Sequence, residues 1–425
     1  MDDRNEYPAE LPQSGIQRQA FSATKIEGIC AVLTYIAAYV YVSGIETGLR
    51  LAIVVCTLIA VTELLNLGRK PSGESFVWLG CFVMCTVSGI AELSRTWEMY
   101  QVFLFIHIFA VWWILSRSGK LLEGRSGHLL PADALNAFII IPFSHFFIWI
   151  RCLANNIAQI FRWDKKEKQK INFWLITAAL LSLLLFIRAI SLLTAADGRF
   201  GDYLKNITGL FSIKIDAYHG FLIIISIPVC FWLFGLMDGS VRVPQEKLSK
   251  QRASIYTVLN KIRKVPVMVW IFTVGLFSLL YVGFFILQGS YLFGAFTHTL
   301  PDGFIVSQYA REGFFELCRV MAINFTVLWL VTRMASENAC SSRAFKAVCL
   351  ILLLESMLFA VIAFSKLWLY ISCFGFTPKR LQSTWLVCVL FAGCLLWGRT
   401  LITGKPVFRT WMYFGAVTLS ILTLF

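Results

Sequence analysis

One apolar segment carries four side chains that could bind a charged molecule or move a proton. They are Tyr309, Glu312, Glu316 and Arg319. Their spacing of three, four and three residues places all four on one face of a helix. A charged side chain at the centre of a membrane helix costs about 2.5–3.5 kcal/mol on insertion scales, so a cluster of this kind is predicted to be functional.

The next apolar segment extends this cluster. Glu355 and Lys366 are eleven residues apart, about three helical turns, and therefore share a face. Antiparallel packing would bring Lys366 level with the first cluster and Glu355 level with Asn324. Arg188 lies at a similar depth in an earlier segment. The predicted polar cluster thus has seven members: Arg188, Glu312, Glu316, Arg319, Asn324, Glu355 and Lys366.

Two interpretations of this cluster stay open. The functional one is a polar cavity open to the outside, which binds a small charged solute or relays protons. The structural one is a buried network of ion pairs that fixes how two helices pack, with Lys366 extending its ammonium to the interface. Paired charges near helix ends are common in helical bundles, which favours the structural interpretation.

Other kinds of chemistry have little support. His107 has no second histidine four residues away and no H-E-x-x-H motif, so no metal site or cofactor is predicted. No nucleophile elbow, P-loop or dinucleotide motif is present, and no catalytic residue is assigned. Nine of the 12 cysteines fall inside apolar segments, and there is no C-x-x-C. The sequence leans away from an enzyme.

The composition indicates that these segments lie in a membrane. The hydrophobic fraction is 58% and the charged fraction 15%, with a mean hydropathy of +0.72. A soluble domain has about 25% charged residues. The net charge of +14 comes from basic residues in short loops between apolar segments. This placement favours anionic lipids at the cytoplasmic leaflet over nucleic acid, which is not predicted as a partner.

The predicted fold is an all-α polytopic bundle of about eleven spans, since each apolar run approaches the 20 residues that cross a bilayer. The runs are 27–44, 50–67, 76–93, 100–116, 172–194, 219–236, 266–287, 313–332, 345–368, 383–400 and 409–425. With the N-terminus in the cytoplasm, the inner loops hold 27 Lys and Arg residues and the outer loops 8. The positive-inside rule therefore favours this orientation.

That orientation requires residues 131–163 to stay on the cytoplasmic side, as an interfacial or re-entrant segment. A single span there would place Lys165–Lys170 outside. Four regions follow: a cytoplasmic segment at 1–26, a four-helix group at 27–116, a basic segment at 117–171 and about seven helices at 172–425. Residues 247–264 are amphipathic and basic, and are predicted either to lie on the anionic leaflet or to dock a cytoplasmic protein partner.

Motifs in the second half carry a family resemblance. They are Tyr309-Ala-Arg-Glu-Gly-Phe-Phe-Glu-Leu317, Lys366-Leu-Trp-Leu-Tyr-Ile371 and Phe374-Gly-Phe-Thr-Pro-Lys-Arg380. Over about 210–425 the chain resembles a bacterial multi-pass membrane family, domain of unknown function 4173, related to family 4153. The resemblance implies a bacterial cytoplasmic-membrane protein and no activity. Pro378 departs from the family pattern, and relatives continue beyond the last span, which suggests truncation after Phe425.

Three functions are compatible with the sequence. The first is a transporter or permease that uses the polar cluster. The second is a sensor or accessory protein that signals through the basic cytoplasmic segments. The third is a lipid or cell-envelope enzyme with Glu312 and Glu316 as its acid and base. Transport is favoured slightly, on the general frequency of transporters among such proteins.

Overall fold

The computed structural model describes residues 23–44, 48–160, 181–182, 185, 188, 217–263, 266–297, 313–336 and 342–425. These residues form helices and short connections. The helices of the first part are α1 (Lys25–Val42), α2 (Gly48–Leu65), α3 (Gly73–Ala91), α4 (Met99–Arg117), α5 (Leu130–Leu135), α6 (Ile141–Ser144) and α7 (Ile148–Ile160). The later ones are α8 (Ala217–Arg242), α9 (Gln245–Ile262), α10 (Val267–Thr297), α11 (Phe314–Met334), α12 (Arg343–Phe374), α13 (Pro378–Thr403) and α14 (Phe408–Leu422).

The predicted polytopic helical bundle is confirmed. Among the described residues, nine helices are long and apolar enough to cross a membrane: α1–α4, α8 and α10–α13. The predicted span 172–194 lies outside the described residues except for positions 181, 182, 185 and 188. The predicted span 409–425 is the 15-residue helix α14. At 1.5 Å per residue it covers about 22 Å, less than the hydrocarbon core of about 30 Å.

Contacts between helix ends define two faces of the bundle. Face I is the side on which α1 begins, and there Arg242, at the end of α8, pairs with Glu27 of α1 at 2.6 Å. On the opposite side, face II, the Tyr39 hydroxyl of α1 lies 3.0 Å from His219 at the start of α8. Helices α1 and α8 therefore run in opposite directions, as the predicted topology requires. The assignment of face I to the cytoplasm stays a prediction.

Two apolar cores hold the bundle together. The first is formed by α1–α4, the 130–160 segment and α8, and the second by α10–α13. Helix α14 contacts both, because Leu419 is buried in the first core while Trp411 stacks on Phe325 of the second at 5.2 Å. The short last helix thus joins the two halves.

Residues 130–160 form a broken helix. α5 runs into α6 through one π-helical turn, Asn136–Ile140, which lies just before Pro142. After a break between Ser144 and Ile148, the next helix is bent by 43° from this one. A π-turn and a proline both interrupt the regular hydrogen-bond ladder. The chain therefore changes direction within this segment.

Both ends of this broken helix contact elements on face I. Near its start, the amides of Asn136 and Gln251 of α9 exchange hydrogen bonds at 3.1 and 3.0 Å. Near its end, Asn156 donates to the carbonyl of Thr24, just before α1, at 3.2 Å. Between them, Trp149 donates to Ala31, almost two turns inside α1, at 2.8 Å. The assignment of this segment as interfacial or re-entrant stays a prediction.

The basic helix predicted near 247–264 is α9, but its apolar face is turned toward protein. Leu248 is buried in the first core, and Ile255 and Tyr256 pack against that core. The Tyr256 hydroxyl donates to Glu123 at 2.5 Å. The apolar face of α9, which was expected to lie on the lipid leaflet, is therefore covered by the first core and by the connection that follows α4. The exposed face of α9 carries the cations Lys247, Lys250, Arg252 and Lys261.

Helix α8 approaches α6 closely at Gly235, which explains why this position has no side chain. A β-carbon there would lie 2.7 Å from the carbonyl oxygen of Pro142. Small residues at such crossings let helix backbones come together.

We expect Gly235→Ala to destabilise the fold by about 1–3 kcal/mol through overpacking, measured by thermal unfolding in detergent. Gly275→Ala is the control, because no atom lies within 4 Å of a β-carbon there; equal losses in both variants would contradict the prediction.

Candidate functional site

The outermost members of the predicted cluster lie apart from its centre. The side chains of Glu316 and Arg319 are 61% and 77% exposed and their charged groups are 4.0 Å apart. Glu316 accepts a hydrogen bond from the Gly313 amide at 2.7 Å, so its carboxylate caps the start of α11. Arg188 is helical and exposed, and Glu312 lies outside the described residues. In this structure Glu316 therefore stabilises the start of α11.

Lys366 is fully buried near the face II end of α12. Its ammonium lies against the start of α11, since a β-carbon on Gly313 would be 3.0 Å from Lys366 Nζ. The predicted antiparallel register of α11 and α12 is therefore present. Lys366 and Glu355 are eleven residues apart on a continuous helix, about 16 Å along its axis, so the two do not form one compact site.

A second polar group occupies the midpoints of three helices in the second core. Asn324 of α11 is 1% exposed. Its amide oxygen accepts from the Tyr281 hydroxyl of α10 at 2.6 Å, and its amide nitrogen donates to Ser356 of α12 at 2.8 Å. Ser356 in turn donates to the carbonyl of Leu352 at 2.8 Å. These bonds form a one-directional chain across the three helices.

Glu355 lies beside this chain, twelve residues into α12, and is 7% exposed. Ser278 of α10 faces the carboxyl group. Within the described part of the chain, neither carboxyl oxygen of Glu355 nor the hydroxyl of Ser278 has a hydrogen-bond partner of acceptable geometry. A buried carboxylate without donors has lost its water with no compensation. A proton on Glu355, or a cation beside it, would supply the missing compensation.

The hydrogen-bond chain can be tested at Asn324. Replacing it by leucine removes the acceptor for Tyr281 and the donor to Ser356 while keeping a similar volume. We expect a stability loss between about 0.6 and 2 kcal/mol, the range for hydrogen bonds between membrane helices. Thermal unfolding in detergent measures it. The control is Thr326→Val, because the exposed Thr326 bonds only to Ala322 of its own helix. A loss no larger than the control's would contradict the role of Asn324.

Sequence reasoning missed Ser278, Tyr281 and Ser356. Each is a single polar residue in a long apolar run, and a lone hydroxyl in such a run ordinarily bonds to its own helix. The sequence feature that could have identified them is their position along the spans. All three lie near the centres of their spans, as do Asn324 and Glu355. Only the packing of α10 on α12 shows that they converge.

A separate polar network holds face I of the first half. The Glu74 carboxylate of α3 accepts from the Ser126 amide at 2.9 and 3.0 Å and from Trp78 at 2.8 Å. The Ser126 hydroxyl also bonds to Glu74 and accepts from Trp112 at 2.8 Å. The bonds from Ser126 to Glu74 and from Trp112 to Ser126 hold the connection that follows α4 against α3 and α4, so we assign the network a structural role.

Other ionisable groups near face I are likewise paired. Arg117 forms a two-pronged ion pair with Glu63, with a closest distance of 2.7 Å, and Lys120 donates to the carbonyl of Val243 at 2.6 Å. At mid-depth, His107 lies 3.0 Å from the Tyr41 hydroxyl. Among the described residues no group of three His, Cys, Asp or Glu could hold a metal ion.

These features define a polytopic helical membrane protein with two packed cores and a buried polar site at mid-depth in the second. Over residues 28–425 the chain matches the family described as Domain of unknown function (DUF4153), and it belongs to that family. The match includes the first half of the chain, where motifs alone indicated only a similar hydropathy. Neither the curated proteins nor the solved structures contain a significant match.

Proposed function

We propose that this chain is a membrane transport protein in which Glu355 takes up and releases a proton during the transport cycle. The observation that carries the proposal is the placement of a carboxyl group at the midpoint of three packed helices. Ser278 faces this carboxyl, but its oxygens form no hydrogen bond of acceptable geometry within the described part of the chain. Ionisable groups at this depth in bundles commonly mark ion pathways and proton relays.

The surroundings of Glu355 suit a group that changes its protonation. Tyr281, Asn324 and Ser356 are fixed by mutual hydrogen bonds of 2.6 and 2.8 Å. A carboxyl that served only to hold helices together would be expected to share in those bonds, as Asn324 does. Glu355 instead stands beside the chain of bonds, so a proton can join or leave it without breaking the contacts between helices.

The experiment is a flux measurement on purified protein in liposomes. Vesicles contain a pH-sensitive dye, and a potassium gradient with valinomycin sets a membrane potential. The proposal predicts internal pH changes that depend on the protein and reverse with the sign of the potential. Rates equal to those of protein-free vesicles at both polarities would overturn it.

We place the protein in the bacterial cytoplasmic membrane with face I inside. The basic residues in the connections at face I support this orientation, and the resemblance of the second-half motifs to family 4173 is the support for the bacterial origin. Cys373 at the face II end of α12 is exposed. A membrane-impermeant thiol reagent applied to intact cells should therefore label Cys373, and labelling only after lysis would reverse the orientation.

A second candidate is an accessory protein that docks an acidic cytoplasmic partner on α9. Its support is the exposed cationic face of that helix, whose apolar residues are already covered by the first core. Replacing Lys247, Lys250, Arg252 and Lys261 together by glutamine separates the two functions. A transport protein would retain its flux, whereas an accessory protein would lose its partner.

A further inference from the structure

A cavity on face I lies where the second core meets the first half of the chain. Its volume is about 370 Å³, within the range of roughly 300–1,000 Å³ for ligand sites. Its lining includes Trp329, Trp397 and Phe408 as apolar walls and Arg333 and Lys346 as cations. It is distant from Glu355 and independent of the proposed transport role.

The two cations lie at the level of the lipid headgroups. Arg333 is in the last turn of α11, and Lys346 is in the first turn of α12. The tryptophans lie deeper, since Trp329 is one turn before Arg333 and Trp397 is within α13. The cavity is therefore charged at its rim and aromatic toward the membrane interior, which matches the polarity of a phospholipid.

Two further titratable groups lie near the rim of the cavity. Burial, together with the nearby charge of Arg333, lowers the pKa of His128 to about 4. The His128 ring is thus neutral at physiological pH, and it packs on Phe408 with ring centres 5.7 Å apart. Glu123 is the acidic group close to this histidine, and its carboxylate accepts from Tyr256 at 2.5 Å.

We infer that this cavity binds an anionic phospholipid, with the phosphate between Arg333 and Lys346 and one acyl chain along Trp329 and Trp397. Basic pockets between membrane helices on the cytoplasmic side are suited to such headgroups. A phosphate oxygen between an arginine and a lysine gains charge-assisted hydrogen bonds. The acyl chain of a lipid would also bury apolar surface against the aromatic wall, whereas a soluble anion has no such chain.

The inference is tested by native mass spectrometry of the detergent-purified chain. Phosphatidylglycerol and phosphatidylcholine with the same acyl chains are titrated separately. We expect phosphatidylglycerol to be retained about tenfold more tightly, and Lys346→Gln or Arg333→Gln to reduce that affinity by about tenfold, the effect of losing one charge-assisted bond. Thr400→Trp, which fills the cavity without changing charge, should also displace the lipid.

The matched control is Arg343→Gln. Arg343 is exposed, lies one turn before Lys346 and is not part of the cavity wall. Its replacement removes the same charge from the same helix end and should leave lipid retention within about twofold. Equal retention of the two lipids, equal effects of Arg343→Gln and Lys346→Gln, or complete displacement of the lipid by inorganic phosphate would each overturn the inference. Elution of all variants as a single species in gel filtration confirms that they are folded.

Discussion

Replacing Glu355 by glutamine is expected to reduce protein-dependent proton flux by at least about tenfold while leaving the fold intact. Glutamine has the same shape, and it cannot exchange a proton at physiological pH. The carboxyl oxygens make no hydrogen bonds within the described residues, so the amide breaks no existing contact. A group whose role was to relay a proton should therefore lose its function without loss of stability.

The flux control is Glu316→Gln. Glu316 lies on the neighbouring helix α11, its side chain is 61% exposed, and it caps the Gly313 amide. Its neutral form can still accept that bond, so flux should remain close to that of the unmodified protein. Retention of full flux in Glu355→Gln, or equal losses in both variants, would contradict the relay.

Removing the Glu74 carboxylate is expected to have the largest effect on stability. Glu74→Ala leaves the Ser126 amide, the Ser126 hydroxyl and the Trp78 indole without their acceptor in a buried site. Hydrogen bonds to a charged group contribute about 1.5–3 kcal/mol each, and buried donors left unpaired are costly. Because the neighbouring groups can relax, we expect a loss of about 3–4 kcal/mol in the free energy of unfolding.

Thermal unfolding in detergent measures this loss, and limited proteolysis between α4 and α5 localises it. Glu246→Ala is the control, because Glu246 is exposed and forms only a surface pair with Lys250 at 2.6 Å. Surface pairs contribute about 0–1 kcal/mol. A loss in Glu74→Ala no larger than in Glu246→Ala would contradict the structural role, as would unchanged protease resistance of the connection.

The apolar runs predicted the membrane helices well, because the bilayer fixes the length of a span and leaves no alternative to a helix. The register of α11 on α12 was also predictable. In two antiparallel helices, residues at the same distance from one face of the bundle lie beside each other. Lys366 beside Gly313 and Asn324 bonded to Ser356 both follow from that register.

Side-chain partners were not predictable in the same way. Glu316 was assigned to the predicted polar cluster. Because it lies in the first turn of α11, it was equally able to cap that helix. The Ser126 partner of Glu74 is 52 residues away, in a connection without periodicity, so nothing local to either segment indicates that bond. The isolated position of Glu355 depends on how α10 packs, and helix packing is a tertiary property.

Glu355 is proposed above all to be a buried carboxyl that changes its protonation during function. Infrared difference spectroscopy across the physiological pH range tests this directly, because a protonated carboxyl has a carbonyl band distinct from that of a carboxylate. We predict that subtracting the spectra of Glu355→Gln from those of the unmodified protein leaves a pH-dependent carboxyl band, and that the same subtraction for Glu316→Gln leaves no band at that frequency. Identical pH-dependent spectra of the unmodified protein and Glu355→Gln would contradict the proposal.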